Sequence, residues 1–285
     1  MAAGFYLLKQ AENRRVQRQA ELNQQAEQVK LTVPEGKTAV DIAELLDEKG
    51  LVKKETFLAA QTAFSSEKFP WLAVRPKNTG LEGFLFPDTY FFNKSTSPDQ
   101  VIIKMLDNFA AKFNSVKKLT NENQTFIIPT YESLTLAARG QGLSLYQVLT
   151  LASIVEKETG SKPNESATQK QQRLDTERKI VAGIFYNRLL AGKALESDAT
   201  LNYITKNNNP SLNAAELQIN SPYNTYKYAG LPPTPICNPS LSSIQAVLNP
   251  AKTDYFYFFH VQSTGEAIFS KTFAEHVRKK LRYQK

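Results

Sequence analysis

The sequence has few cysteines and histidines, and each shortage argues against a class of site. A single cysteine, Cys237, excludes an internal disulfide and a zinc site built from cysteines. Two histidines, His260 and His276, argue against a multi-histidine metal centre. No G-x-S-x-G sequence accompanies them, so a serine nucleophile elbow is not indicated. We therefore expect neither a metal nor an organic cofactor.

Long apolar runs are also missing. Residues 1–8 (MAAGFYLL) are apolar, but a spanning helix needs about 20 such residues. They also lack the layout of a signal peptide. Residues 9–28 are polar and contain neither Gly nor Pro. We interpret residues 1–28 as a polar helix or stalk, which is either the remaining end of a longer membrane anchor or an ordinary chain start.

Basic residues outnumber acidic ones, 35 to 27, which gives a formal net charge of +8. This excess favours a polyanionic partner, such as nucleic acid, an acidic membrane face or an acidic polymer. The basic residues are scattered and no nucleic-acid-binding motif accompanies them, so we expect no nucleic acid partner. Solubility alone is the alternative explanation of the charge.

A small strand–helix–helix unit is predicted after residue 28. Residues 29–33 (VKLTV) alternate in polarity as a strand does, and a turn at Pro34–Gly36 follows. Thr38 is placed to cap a helix that Gly50 ends. A second helix begins near Lys54. The unit has the size of a binding or positioning subdomain.

The most informative stretch is residues 142–160 (GLSLYQVLTLASIVEKETG). Ser144 and Gln147 form the pattern of a capping box that begins a helix. At about 100° per residue, Glu158 extends the apolar face of this helix, whereas Glu156 lies to its side. Partial burial raises the pKa of a carboxylate, as a general acid requires. A solvated helix end is the alternative reading of the Glu-Lys-Glu sequence.

The second half of the chain mixes polar loops with apolar segments. Residues 161–177 are polar and predict a loop. Residues 221–239 hold five prolines and three tyrosines, which suit either a plain connector or the wall of a cleft. Residues 254–261 predict a strand that pairs with residues 267–270, and Thr272 is placed to cap a last helix.

Four stretches, in this order, resemble the membrane-anchored endolytic murein transglycosylases, the YceG-like or MltG family. They are LEGFLFPDTY (81–90), LASIVEKET (151–159), IFYNRL with LESD (184–189 and 195–198), and SPYNTYKYAGLPPTPICNPSLSSIQAVLNP (221–250). One such stretch would be a weak signal, but four in the family order are specific. The resemblance covers roughly residues 30–285.

The resemblance implies an endolytic lytic transglycosylase that cleaves the β-1,4 bond after N-acetylmuramic acid and leaves a 1,6-anhydro end. It implies that Glu158 is the catalytic acid and base. Glu156 is expected to act as a structural or supporting neighbour. The substrate-binding group implied by the motif matches comprises Tyr223, Asn224, Tyr226, Asp198 and Glu156.

The expected fold class is α+β, with a small LysM-like βαα subdomain over residues 29–78 followed by a mostly helical catalytic domain over residues 79–285 with a C-terminal β-hairpin. The resemblance implies peptidoglycan glycan strands as substrate and cell-wall synthesis enzymes as partners. It also implies a position at the outer face of the cytoplasmic membrane, through an N-terminal anchor that is not complete in this chain.

Two other functions fit the sequence. A lysozyme-type hydrolase would pair Glu158 with a second carboxylate, for which Asp198, Glu196 and Asp88 are the candidates. A non-catalytic wall-binding scaffold would use Glu158 only to cap its helix. The hydrolase would leave reducing sugar ends, whereas the scaffold would cleave nothing.

Overall fold

The computed structural model describes residues 28–114, 138–160, 165–207 and 212–283, together with 10, 14, 15, 119–121, 124–126 and 135. The predicted stalk over residues 1–28 lies almost wholly outside these residues. Among the helices described, none is both long and apolar enough to cross a membrane.

The described chain is a mixture of helices and short antiparallel strand pairs. In chain order the elements are β1 (Val29–Thr32), α1 (Ala39–Glu48), α2 (Lys54–Ala63), a 3-10 helix (Pro70–Val74), β2 (Thr89–Phe92), α3 (Pro98–Asn114), β3 (Leu119–Asn121), β4 (Gln124–Phe126), α4 (Leu145–Glu158), α5 (Ala167–Leu190), α6 (Asp198–Thr205), α7 (Ala214–Leu217), α8 (Leu241–Leu248), β5 (Tyr257–His260), β6 (Ala267–Ser270) and α9 (Phe273–Tyr283).

The predicted strand–helix–helix unit is present, but its sheet extends past its predicted end. Thr38 caps α1 and forms a capping box with Asp41, so the predicted start of that helix is confirmed. Strand β1 pairs antiparallel with β2, with Val29 opposite Phe92. The predicted boundary at residue 79 therefore separates two strands of one sheet. Sequence patterns did not mark β2, which pairs with a strand about 60 residues earlier in the chain.

Helix α4 is the centre of the larger region. Ser144 and Gln147 form the predicted capping box. Every residue from Val148 to Glu156 is buried. The reason is that α5 and α8 pack on sides of α4 that lie outside the apolar face predicted from the sequence. The prediction of a single buried face is therefore wrong, and Glu156 is more deeply buried than Glu158.

Residues 167–177 belong to α5, so the prediction of a loop through residue 177 is wrong in this part. Ser166 caps α5 and forms a capping box with Gln169. Most side chains of this first half are exposed, so it shows no apolar periodicity, although its residues are good helix formers. Later in α5, Gly183 packs so closely that a Cβ would lie 2.3 Å from the carbonyl oxygen of Ala251.

The end of the chain follows the prediction. Strands β5 and β6 form an antiparallel hairpin in which Tyr257 lies opposite Ser270. Thr272 accepts a hydrogen bond from the backbone N–H of Glu275 and so begins α9. Helix α9 packs on this hairpin.

Candidate active site

Glu158 is the last residue of α4, where the buried helix reaches the surface. Its side chain is half-buried. Ser197 Oγ donates a hydrogen bond of 2.5 Å to Glu158 Oε1. A second donor, the backbone N–H of Ala199, lies near enough to this carboxyl group to lower its pKa. Both donors come from the start of α6, so α4 and α6 meet at one carboxyl group.

The N-cap residue of α6 hydrogen-bonds to Glu158. Ser197 occupies the N-cap position, yet its hydroxyl makes no capping hydrogen bond within α6. That hydroxyl is turned to Glu158 instead. The Ala199 N–H, one of the free N–H groups at a helix start, lies near enough to the Glu158 carboxyl group to lower its pKa. A carboxyl group from α4 thus lies close to the start of α6, where a local cap is absent.

Burial raises the pKa of Glu158, and the nearby negative charge of Asp198 raises it further. The hydrogen bonds from Ser197 and Ala199, and the charge of His260, act in the opposite direction. The net shift is upward, so a larger protonated fraction is present near neutral pH than for a free glutamate. Such a group can first donate and then accept a proton.

Asp198 lies beside Glu158 and holds a tyrosine. The hydroxyl of Tyr226 donates a hydrogen bond of 2.5 Å to Asp198 Oδ1. Tyr226 remains 36% exposed, so it presents a surface to solvent at the site. Burial and the hydrogen bond to Asp198 raise the pKa of Tyr226, so its hydroxyl stays protonated and remains a donor.

Thr225 joins the two segments that surround Glu158. Its hydroxyl accepts from the backbone N–H of Ser197 at 3.1 Å and contacts the hydroxyl of Thr200 at 2.9 Å. Its carbonyl accepts from the backbone N–H of Glu196 at 2.9 Å. These bonds fix the position of the Ser197 hydroxyl relative to the segment that carries Tyr226.

Asn224 supports the site from beneath. It is fully buried, and its amide donates to the carbonyls of Leu217 and Ile219, both at 2.9 Å. Its side-chain oxygen accepts from the backbone N–H groups of Tyr226 and Lys227. Because its hydrogen-bonding groups are directed to the backbone, this placement does not support the predicted direct contact with substrate.

Tyr223 lies at the edge of a group of tyrosines. Its hydroxyl contacts the hydroxyl of Thr234 at 2.7 Å, and its ring centre is 5.4 Å from that of Tyr203. The ring is half-buried. Tyr223 is therefore positioned by the segment it belongs to, and it keeps exposed surface.

Glu156 lies in a closed ion-pair network. Its Oε1 accepts from the guanidinium of Arg178 at 2.8 Å. Its Oε2 accepts from the backbone N–H of Ser240 at 2.9 Å and from the Ser240 and Ser243 hydroxyls at 2.5 and 2.6 Å. Glu156 is 9% exposed. These contacts agree with the structural role expected of it and do not support direct substrate binding.

Three further residues at the site had no distinguishing pattern in the sequence. Ser197 and Thr225 are ordinary polar residues, and only their approach to Glu158 and to one another gives them a role. His260, on β5, contacts Glu177 at 2.9 Å and lies within electrostatic range of Glu158. In the sequence, a lone histidine in an apolar strand did not indicate the contact with Glu177 or the proximity to Glu158.

Asp88 lies elsewhere. Its carboxylate pairs with Lys112 at 2.8 Å and accepts from Asn108 at 3.0 Å. It therefore links β2 to α3 rather than facing Glu158. Glu196 pairs with Arg188 at 2.7 Å. Of the three candidates for a second carboxylate, Asp198 is the one that lies beside Glu158 and also holds Tyr226.

The site thus combines one carboxyl group of raised pKa, a hydroxyl that orients it, and an exposed tyrosine held by a second carboxylate. Among the residues described, no three His, Cys, Asp or Glu side chains are grouped to hold a metal ion. The arrangement suits proton transfer to and from a sugar oxygen, with a planar ring beside it.

Comparison with known proteins places the chain in a family. The family model described as the YceG-like family matches residues 1–282. The chain belongs to the YceG-like family.

Curated relatives bear a functional name. The chain is 38% identical over 204 residues to the endolytic murein transglycosylase of Bacillus subtilis strain 168, covering 71% of this chain and 48% of that protein. It is 32% identical over 279 residues to the endolytic murein transglycosylase of Streptococcus pneumoniae serotype 2 strain D39, covering 88% of this chain and 45% of that protein. The chain thus spans about half the length of these relatives.

A solved structure supports the same assignment. A crystal structure of a yceG-like protein from Listeria monocytogenes is similar with a TM-score of 0.67 and 30% sequence identity. The similarity covers 88% of this chain and 75% of that one. The mixture of helices with small antiparallel sheets is therefore the fold of this family.

Proposed function

We propose that the protein is an endolytic lytic transglycosylase of peptidoglycan, with Glu158 as its single acid and base. The observation that supports this most directly is the half-buried carboxyl group of raised pKa at the end of α4. The names of the curated relatives support the reaction class, and their name indicates murein as the substrate.

The reaction needs one proton donor that becomes a proton acceptor. Protonated Glu158 donates to the oxygen of the β-1,4 bond between N-acetylmuramic acid and N-acetylglucosamine, and the bond from that oxygen to C1 breaks. The carboxylate then removes the proton of the muramyl C6 hydroxyl, whose oxygen bonds to C1. The product is a 1,6-anhydro end, no water is consumed, and Glu158 is protonated again.

The neighbouring groups have defined parts in this proposal. Ser197 orients the Glu158 carboxyl group, and Tyr226, held by Asp198, faces the positive charge that develops at the sugar ring. Tyr223 belongs to the same segment as Tyr226. Asn224 holds the backbone at Tyr226, and Glu156 holds the backbone at Ser240. Asp198 acts as a positioning residue for Tyr226.

A lysozyme-type hydrolase is the second candidate, because Asp198 lies beside Glu158. Such an enzyme would use the Asp198 carboxylate as nucleophile or as general base for water. The hydrogen bond from Tyr226, which occupies Asp198 Oδ1, favours the transglycosylase. The two reactions differ in product, so chemistry at the new chain end distinguishes them.

We propose further that residues 29–78 form a LysM-like unit that braces the larger region. Glu82 accepts from the N–H of Ala39 at the start of α1, and Asn238 donates both to Glu82 and to the carbonyl of Lys37. The same proposal includes action on nascent strands and contact with cell-wall synthesis enzymes. It also includes a position at the outer face of the cytoplasmic membrane. The family resemblance supports them.

The test is product analysis of purified peptidoglycan by mass spectrometry. Wild-type protein is expected to produce 1,6-anhydro ends, Glu158→Gln none, and Asp198→Asn fewer ends of the same kind. Glu55→Gln, an exposed change on α2, is the matched control and is expected to match wild type.

Reducing ends from wild-type protein would favour the hydrolase instead. Anhydro ends from Glu158→Gln at the wild-type rate would overturn the assignment of Glu158. A wild-type protein that binds peptidoglycan and cleaves nothing would overturn the proposed reaction altogether.

A further inference from the structure

Helix α9 has an apolar stripe that faces solvent. At about 100° per residue, Phe273, Val277 and Leu281 fall on one narrow face of the helix. Their exposed fractions are 64%, 39% and 61%. No residue of α9 is buried. An exposed apolar row of this kind marks an interaction surface.

The stripe is not the face by which α9 packs on its own domain. That face carries His276, whose ring centre is 5.6 Å from that of Tyr257, and Tyr283, whose ring centre is 6.1 Å from that of Phe259. Phe273 reaches Tyr257 with one side of its ring but stays mostly exposed. The hairpin therefore holds α9 in place and leaves the stripe uncovered among the described residues.

Basic side chains border the stripe on both sides. On the helical wheel Lys280 flanks it on one side, and Arg278 and Arg282 lie beyond its other edge. All three are exposed, and none forms an ion pair within the described part of the chain. Lys279 differs, because it pairs with Glu275 at 2.7 Å. The surface thus combines apolar side chains with unpaired cations.

We propose that this face of α9 binds the surface of an anionic lipid bilayer. The apolar side chains would enter the boundary between headgroups and acyl chains, and the cations would meet lipid phosphates. An acidic polymer would satisfy the cations but leave the apolar stripe in water. A protein interface or a second copy would place Lys280 where Lys is depleted, whereas anionic lipids offer phosphates to all three cations.

The binding surface on α9 is argued independently of the proposed function. The use of that surface in glycan cleavage rests on the proposed function. His276 on α9 lies within electrostatic range of Arg188 and of Glu196, the neighbour of Ser197. Docking of α9 would therefore hold the Glu158 site close to the bilayer. One helix of this length gives weak and reversible binding, which suits a second contact beside another attachment.

Vesicle sedimentation tests the proposal with the full chain. Wild-type protein is expected to bind vesicles of phosphatidylglycerol mixed with phosphatidylcholine, less at high salt, and to bind vesicles of phosphatidylcholine alone far more weakly. Leu281→Ser should lower the partition coefficient about tenfold. Lys280→Gln should lower it about fivefold. Leu190→Ser is the matched control, because Leu190 is 85% exposed elsewhere, and it should bind like wild type.

A reporter variant tests the depth of insertion. The only tryptophan, Trp71, is buried at 6% exposure, so it contributes a constant background. Fluorescence of Phe273→Trp should shift to shorter wavelength on anionic vesicles and be quenched by brominated acyl chains. An unchanged spectrum while the protein is bound would overturn the proposal.

Three other results would also overturn it. One is wild-type protein that does not bind anionic vesicles. Another is equal binding by wild type and Leu281→Ser, which would place the contact elsewhere in the chain. The third is a dimer in solution that Leu281→Ser converts to monomer, which would assign the stripe to a second copy.

Discussion

Glu156 and Glu158 lie two residues apart on one helix but in different surroundings. Each meets the start of another helix: Glu156 meets α8 at Ser240, and Glu158 meets α6 at Ser197 and Ala199. Glu156 also faces the guanidinium of Arg178, whereas Glu158 faces neutral donors and the like charge of Asp198. The two carboxyl groups therefore both lie at helix starts but differ in the charge beside them, which is why we propose a structural role for Glu156 and a catalytic role for Glu158.

The largest effect is expected from Glu158→Gln. Because the amide can neither donate the proton nor accept one, we expect the rate of anhydro-end formation to fall by about 10³-fold or more. The free energy of unfolding should change little, since the site already favours an uncharged group. Glycan cleavage and urea unfolding measured on the same sample would check both. A large loss of stability would mean that Glu158 is structural.

The opposite outcome is expected from Glu156→Gln. Removing the charge leaves the buried Arg178 guanidinium without its nearer carboxylate, and Glu35 lies 3.9 Å away, so the free energy of unfolding should fall by about 3 kcal/mol. Cleavage should decline only with the folded fraction. Urea unfolding, with the exposed change Glu55→Gln as control, measures this. Unchanged stability together with lost cleavage would transfer the catalytic role to Glu156.

A smaller effect is expected from Ser197→Ala, which keeps both carboxyl groups. Losing the hydroxyl removes a bond that lowers the pKa of Glu158, so that pKa should rise. The high-pH limb of the pH–rate profile should then move to higher pH. The rate should fall about tenfold, because the carboxyl group is less well oriented. A lower rate with an unmoved profile would show that Ser197 only stabilises α6.

A last effect, which develops gradually with pH, concerns a third carboxyl group at a helix start. Glu82 accepts from Ala39 at the start of α1 and from Asn238, and burial raises its pKa to about 8. Since the folded pKa is raised, its contribution is complete below the unfolded pKa, near 4.5, and is lost as pH rises to about 8.

In that window the free energy of unfolding should fall by about 1 kcal/mol per pH unit more in wild type than in Glu82→Gln. Urea unfolding at intervals between pH 5 and pH 9 measures the difference. Parallel curves for the two proteins would show that Glu82 is ionised when folded.

The helix ends were predictable because their signals are local. Thr38 with Asp41, and Ser144 with Gln147, each lie within one turn, so the sequence contains the whole capping box. The polar first half of α5 was missed because an exposed helix shows no apolar period. The pairing of β1 with β2 was not predicted because it joins segments about 60 residues apart, and the boundary at residue 79 stays a prediction.

The sequence by itself determined that α4 ends in a Glu-Lys-Glu segment with an apolar helix behind it, and its motifs placed the chain in a family. Only the tertiary structure decided which carboxylate is paired. Glu158 meets Ser197 39 positions away, and Glu156 meets Ser240 84 positions away. Periodicity reports which residues share a face, but the pKa of a carboxyl group depends on the charges and donors that other elements bring to it.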